Sequence, residues 1–221
     1  MQNTRKKVSK VYTASDAEVY LDDIDNADIR LYDISYGLSH TTRWSGQFGK
    51  CTVAKHSALV TYLVDGMLSK SVDDNARLSI LRYALMHDAT EAYLGEVPVL
   101  VKELLPAYRE LEHTLFFRIQ EVLGIEDISD KAQSLISVAD TMATVVERMV
   151  YHTLRVGGKP QLVVTKDGDY VTAYTKKKND ILHVHMAYKG HHVWCPAGRT
   201  FEQRIPSWEW YLVDLFGAFS L

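Results

Sequence analysis

The 221-residue chain has little cysteine: Cys51 and Cys195 are its only thiols. Two cysteines cannot build a disulfide framework, and they match a reducing compartment. Long apolar runs are missing too. No stretch approaches the roughly 18 to 20 apolar residues that a membrane-spanning helix needs. The basic opening MQNTRKKVSKVY is not followed by an apolar segment, so it does not read as a secretory signal. An excess of positive charge is also absent: 25 Lys and Arg face 28 Asp and Glu, for a net charge of -3 and a pI near 6.3. Without a strongly basic face, duplex nucleic acid is not an expected partner. A small anionic substrate stays possible, because a few local cations or a metal ion suffice for it. The expectation is a soluble, cytoplasmic protein with no membrane association.

With 47% hydrophobic and 24% charged residues, the chain can bury a sizeable core, most simply as one domain with an elaborated end. Residues 1–32, with DDIDNADIR in their middle, show no clear period and read as an N-terminal arm or short strands. Residues 33–156 read as helical throughout. Asp33 is placed to cap DISYGLSHTTRW and Thr52 to cap TVAKHSALVTYLVDGML. Asn75 is placed to cap NARLSILRYALMHDATEAYL, which stops near Gly95. Pro98 opens a further helix that Pro106 breaks or kinks and Gly124 ends. Ser129 or Asp130 caps the last long helix, which Gly157-Gly158 stops. After Pro160 the texture turns to β. One hairpin is expected around Asp167-Gly168 and another around Lys189-Gly190, with a polar turn at Lys178-Asn179-Asp180 between them. SWEWYLVDLFGAF closes the chain as a short amphipathic helix. The expected fold is mainly α: a bundle of about five core helices, with residues 157–221 forming a β-hairpin extension and terminal helix on the same domain.

Within the helices, residues of metal-ligating type stand where apolar groups would ordinarily go. His87 and Asp88 end the core-like run LSILRYALM, His56 sits mid-helix among apolar neighbours, and Asp140 interrupts LISVADTMATVV. A buried ionised Asp is costly unless it is paired or bound to a metal. On one continuous helix Glu91 would share a face with His87 and Asp88. Each residue alone has a plainer reading, His56 as a satisfied core histidine and Asp140 as a buried ion-pair partner. Two imidazoles and two carboxylates from three helices make a nitrogen and oxygen set that suits zinc, manganese, cobalt or iron better than calcium.

The order His, His-Asp, Asp on successive helices resembles the HD-domain phosphohydrolases. More closely, TTRW, VAKHSALV, MHDATEAYLGEVPVLVK and VADTMA are similar to segments of the bacterial 5′-deoxynucleotidases and their phage-encoded relatives, among them the phage dATP triphosphohydrolases. The likeness covers about residues 33–156, and HDATEAYLGEVP is its most specific part. It implies an HD-type helical core and a divalent ion (Co, Mn, Zn, Mg or Fe) on His56, His87, Asp88 and Asp140. It implies Glu91 as a catalytic acidic residue, with Glu96 also placed among the catalytic groups. Arg43 and Trp44 match a pair that contacts phosphate and crowds the sugar 2′ position, and Lys102 is a further candidate for phosphate. Glu96 departs from the Asp usual in the Gly-acid-x-Pro turn, and Lys55 from the usual Glu or Gln. The implied substrate is a 2′-deoxynucleotide, best dATP, and the implied assembly a homo-oligomer, dimeric or larger.

Two other functions remain open in the sequence: a phosphodiesterase or hydrolase of signalling nucleotides, and an HD module that only binds. A second cluster, His183, His185, His191 and His192 with Cys195 nearby, makes another metal site conceivable, although its spacing matches no closed zinc pattern. That ribbon is otherwise expected to pack on a neighbouring subunit or to lid the pocket.

Overall fold

Thr52 accepts a hydrogen bond from the Lys55 amide and so starts helix α2, Val53–Met67, the element around which the others gather. In a computed structural model the described residues are 9–49, 51–153, 163–164, 170–178, 181–196 and 205–217. Most of α2 is buried on every side, as a helix apolar around its whole circumference must be. It packs on α1 (Leu31–His40), α3 (Asp74–Met86), α7 (Asp130–Glu147) and α8 (Trp208–Phe216). Leu59, Leu63, Leu85, Met86 and Met142 form the centre of this core.

Asp33 is not a cap. Helix α1 begins earlier, and Asp33 lies buried in its first turn, accepting from the Ser15 amide at 2.8 Å and the Ser15 hydroxyl at 2.6 Å. That carboxylate ties down the N-terminal residues. β1 (Lys10–Val11) pairs antiparallel with β2 (Val19–Tyr20), and Ala17, Val19, Ile24 and Ala27 enter the core.

A second expectation also fails. The chain does not form one helix from Asn75 to Leu94. Asp73 caps α3, taking the Ala76 amide at 3.0 Å, and α3 ends at Met86. A turn then closes by short-range bonds from Ala89 to Met86, Glu91 to Asp88 and Ala92 to Ala89. Only then does α4, Glu91–Leu94, begin, and Gly95 ends it at φ 76°. The turn has a consequence for the site. Neighbours on a regular helix point about 100° apart, whereas here His87 and Asp88 converge.

Helix α5 (Val99–Lys102) follows Pro98, and α6 (Pro106–Leu123) carries Pro106 in its first turn, where a missing N–H leaves no bond unmade. Gly124, left-handed at φ 61°, stops α6. Ser129 caps α7, which runs on into a π-helical stretch, Arg148–Thr153. The expected stop at Gly157-Gly158 and the turns at Asp167-Gly168 and Asn179-Asp180 lie outside the described residues.

Beyond them β3 (Val163–Val164), β4 (Tyr170–Lys178), β5 (Ile181–Tyr188) and β6 (His191–Pro196) form an antiparallel sheet in sequence order. Lys189 and Gly190 both take positive φ, the geometry that a two-residue hairpin turn requires. Met186 and Tyr188 are buried in the common core, β5 lies on α7, and β6 lies on α2. The ribbon thus packs on the chain's own helices. Its register sets His183 opposite Pro196, His185 opposite Trp194 and His192 opposite Ala187, which spreads the histidines along the ribbon. Helix α8 is locked by Trp208, whose indole N–H donates to Ser35 at 2.8 Å, and by Arg82, whose Nε donates to the Leu215 carbonyl at 2.6 Å. The molecule is therefore mainly helical with an antiparallel sheet toward its C-terminal end. Among the described residues no helix is long and apolar enough to cross a membrane.

Gly37 is where α1 meets α4. A β-carbon there would stand 2.9 Å from the backbone of Ala92. Gly37→Ala should therefore push the two helices apart at a cost of about 1–3 kcal/mol. That corresponds to a fall in Tm of roughly 3 to 10 °C for a chain of this size. An unchanged melting curve would show that the contact is looser than it looks.

Candidate metal centre

His87 caps the end of α3, and its Nδ1–H donates to the Ala84 carbonyl at 2.8 Å. A carbonyl can only accept, so Nδ1 carries a proton and Nε2 is the nitrogen left to face the site. His56, in the first turn of α2, is 1% exposed and turns its Nδ1 to Glu147 Oε1 at 2.7 Å. Its Nε2 also points inward. Both Nε2 atoms are buried and face only carboxylates, His56 Nε2 lying 3.0 Å from Asp140 Oδ1 and His87 Nε2 3.3 Å from Asp88 Oδ2, and together with Asp88 they form a triplet whose ligand atoms lie within 4.8 Å of one another. Two imidazole edges and carboxylates converging on one buried point call for an explanation. A divalent cation supplies one, and the three residues fit it. Asp140 stands beside the triplet, half exposed, with Oδ1 3.0 Å from His56 Nε2.

Glu147 is the residue that the sequence reading missed. It is 1% exposed at the end of α7 and accepts from three groups: His56 Nδ1, Arg43 Nε at 3.0 Å and the Trp44 indole N–H at 3.2 Å. A signal was available in the sequence. Glu147 follows Asp140 by seven residues, two helical turns, so both lie on one face of an otherwise apolar segment. A carboxylate on the far nitrogen of a liganding His fixes the ring and raises its basicity.

Arg43 and Trp44 reach this carboxylate from the loop before α2. The Arg43 amide donates to the Cys51 carbonyl at 2.8 Å, and Thr42 and Thr52 pair as an isolated bridge. Trp44 and Ser45 sit at φ 60° and 49°, a left-handed conformation costly for side chains of their kind. Arg43 also donates to the Thr144 hydroxyl at 3.3 Å and holds Nη1 3.6 Å from Asp88. Much of its guanidinium fork is therefore engaged within the protein. The Trp44 ring lies against Phe48, with centroids 4.8 Å apart.

Glu91 opens α4 instead of continuing α3, and it is buried with Oε2 unpartnered. Its Oε1 lies 3.4 Å from Lys102 Nζ, which binds Glu112 more closely at 2.5 Å. Lys102 thus comes into the site as a neighbour of Glu91. Glu96 acts on Glu91 through its charge alone. Among the described residues no second metal-ligating group of three appears.

The electrostatics follow from the burial. Desolvation and the charge of Asp88 lift the Glu91 carboxyl to about 8, against the opposing pull of Lys102 and Arg43. Burial and the Arg43 charge work against a protonated His56, but Glu147 and Asp140 outweigh them and raise it to about 9. Burial also opposes the ionised forms of Asp88 and Asp140. His87, His56 and Arg43 more than compensate and hold Asp88 below the ordinary carboxylate range. The hydrogen-bonding contact and charge of His56 do the same for Asp140.

A relative in Escherichia coli K12, described as the uncharacterized protein YfdR, is 31% identical over 142 residues, which cover 64% of this chain and 71% of that protein. This chain belongs to the same family as YfdR. No family model matches it.

Two tests concern the centre itself. With a folded value near 9 against an ordinary 6.5, protonation of His56 stabilises the metal-free protein fully below about pH 6.5. That contribution is lost as pH rises through about 9. A ligand must shed this proton, so metal affinity should climb over the same interval while the metal-free Tm declines. Profiles of both that stay flat would contradict the assignment. Glu147→Gln keeps the shape and removes the charge, and it should weaken metal binding about ten- to a hundredfold by calorimetric titration. Unaltered affinity would leave Glu147 only a packing role.

Proposed function

We propose that the chain is a divalent-metal-dependent phosphohydrolase of the HD type that acts on 2′-deoxynucleotides, with dATP the first choice. One observation carries the reading. Two buried Nε2 atoms converge on Asp88 and Asp140 while the opposite nitrogen of each ring is held by an acceptor. The resemblance adds Asp140 to the ligand set and supplies the reaction class.

When bound, a divalent ion makes a water nucleophilic near neutral pH and neutralises phosphate charge. The chain's own groups do the rest. Glu91, held protonated near neutrality by its burial, is fitted to give a proton to the leaving oxygen or to orient the attacking water. A nearby cation would draw its value down again, which suits a group that must change protonation state. Lys102 steadies Glu91 and brings positive charge to the phosphate side. Arg43 presents Nη1 at Asp88, and Trp44 stands next to it against the sugar. An indole there offers a 2′ hydroxyl no partner, and burying that group unpaired costs roughly 1–3 kcal/mol, about ten- to a hundredfold in discrimination. The choice of adenine comes from the resemblance alone. So does a homo-oligomeric state, whereas a cytoplasmic location rests on the sparse cysteines.

Glu91→Gln should keep the metal and slow turnover by roughly two to four orders of magnitude. If that change instead empties the centre, Glu91 is a ligand and not an acid. Asp140→Ala should lose both metal and turnover while its circular dichroism stays helical. Full activity in that variant would remove Asp140 from the site.

A screen of ribo- and deoxynucleotides with several divalent ions, with products resolved by chromatography, tests the substrate. Hydrolysis of ATP as fast as dATP would defeat the sugar argument. Phosphodiester cleavage without action on monoesters would point to the phosphodiesterase reading, and bound nucleotide without any product to a binding module.

A further inference from the structure

A cavity of about 510 Å³ lies outside the candidate centre, within the size range of small-molecule sites. Ala54 and Ala58, one turn apart on α2, form one wall, and their short side chains leave the space open. Ile205, Pro206 and Trp208, at the approach to α8, form another. The Trp208 indole N–H is already committed to Ser35, so what the ring offers a ligand is apolar surface. Positions two apart on a helix point about 160° away from each other. His56 is therefore directed away from the wall of Ala54 and Ala58, and toward Glu147. The thickness of α2 separates the cavity from the centre.

The polar groups around this space are few and balanced. Lys55 and Glu209 bring one charge of each sign. Thr52 and Ser207 also line it, but each hydroxyl caps its own helix, accepting from the Lys55 amide at 3.4 Å and the Trp210 amide at 3.2 Å. His40, at the end of α1, gives its Nδ1–H to the Tyr36 carbonyl at 2.8 Å and stacks on the Tyr36 ring, which leaves Nε2 as the nitrogen for a ligand. Ser39 adds a hydroxyl beside it. Apolar walls with cancelling charges and a few hydrogen-bonding groups favour a neutral ligand over an ion.

The cavity also touches the machinery of the centre from behind. Thr42 and Gly49 stand in its wall. Between them in sequence lie Arg43 and Trp44, which donate to the carboxylate that holds His56. The segment is closed by the Arg43 amide on the Cys51 carbonyl at 2.8 Å and the Val53 amide on the Thr41 carbonyl at 3.0 Å. Trp44 and Ser45 nevertheless occupy left-handed backbone, which persists only where the surroundings hold it. A ligand resting on Thr42 and Gly49 adds to that hold.

We infer that the cavity is an effector site for a neutral, flat, mostly apolar molecule, whose occupancy strengthens metal binding by holding the segment that carries Arg43 and Trp44. Coupling of this kind is reciprocal, each ligand tightening the other by the same factor. Neither the cavity nor the coupling requires that the chain act on nucleotides.

Indole-3-acetamide, indole-3-acetate and tryptamine share one flat body and differ in charge. Titrated calorimetrically into the full chain, the neutral amide should bind with a Kd of about 1 mM or tighter, ordinary for a ligand of its size. The anion and the cation should bind about fivefold more weakly or worse. With the amide saturating, affinity for manganese(II) should rise about fivefold or more, and saturating manganese(II) should tighten the amide equally. Ala58→Leu and Ser39→Leu fill the cavity from two different walls. Each should abolish amide binding and the enhancement, with manganese(II) affinity in the absence of the amide kept near wild type. Should one of them fail to fold, the other carries the test. Absence of amide binding, tighter binding of either charged probe, manganese(II) affinity indifferent to bound amide, or amide binding that survives both substitutions overturns the inference. If no nucleotide is hydrolysed with any divalent ion while the coupling is observed, the effector site stands and the phosphohydrolase reading alone falls.

Discussion

A single buried carboxylate organises this molecule's candidate site. Glu147 sits at the end of α7, almost wholly removed from water, and collects hydrogen bonds from His56, Arg43 and Trp44. An ion in that position would be prohibitively costly without such partners. The requirement runs in both directions. The charge needs its donors, and the donors take their positions from it: His56 turns its other nitrogen inward, Arg43 reaches Asp88, and the loop holds Trp44 and Ser45 in left-handed backbone. Remove the charge and three elements lose the reason for their mutual arrangement: the loop before α2, α2 itself and α7.

The second organising feature is the turn between α3 and α4. Short-range backbone bonds bend the chain at Asp88–Thr90, so that His87 and Asp88 point at the same place and Glu91 enters from a separate helix. Gly37 lets α1 come within reach of Ala92, next to Glu91, and the packing of α1 on α4 thereby sets the depth of the acid. The same turn divides the surroundings of the centre into two flanks, one bearing Arg43 and Trp44 and the other bearing Lys102.

Much of the helical architecture was legible because its determinants are local. The cap at Thr52, the cap at Ser129, the break before Pro106 and the left-handed stop at Gly124 each depend on a few neighbouring residues. The terminal helix and the hairpin turn at Lys189-Gly190 are equally local. The errors arose where tertiary contacts outweighed local preference. Asp33 has the composition of a cap but is used by Ser15, and Asn75 yields to Asp73. The apolar period through NARLSILRYALMHDATEAYL gave no sign of the bend, because a tight turn preserves the burial of the residues that create the period.

The sequence by itself determined which residue types were available: two histidines and two aspartates within apolar helices, a Glu close behind, and a basic residue for each flank of the centre. Only the tertiary structure decided their directions. The bonds that aim the site join residues 91, 103 and 104 positions apart, from Glu147 back to His56, Trp44 and Arg43. Periodicity can report that a position is buried, because burial repeats with the helical turn. It carries no record of which distant carboxylate a buried nitrogen will face, since that depends on how whole helices pack against one another.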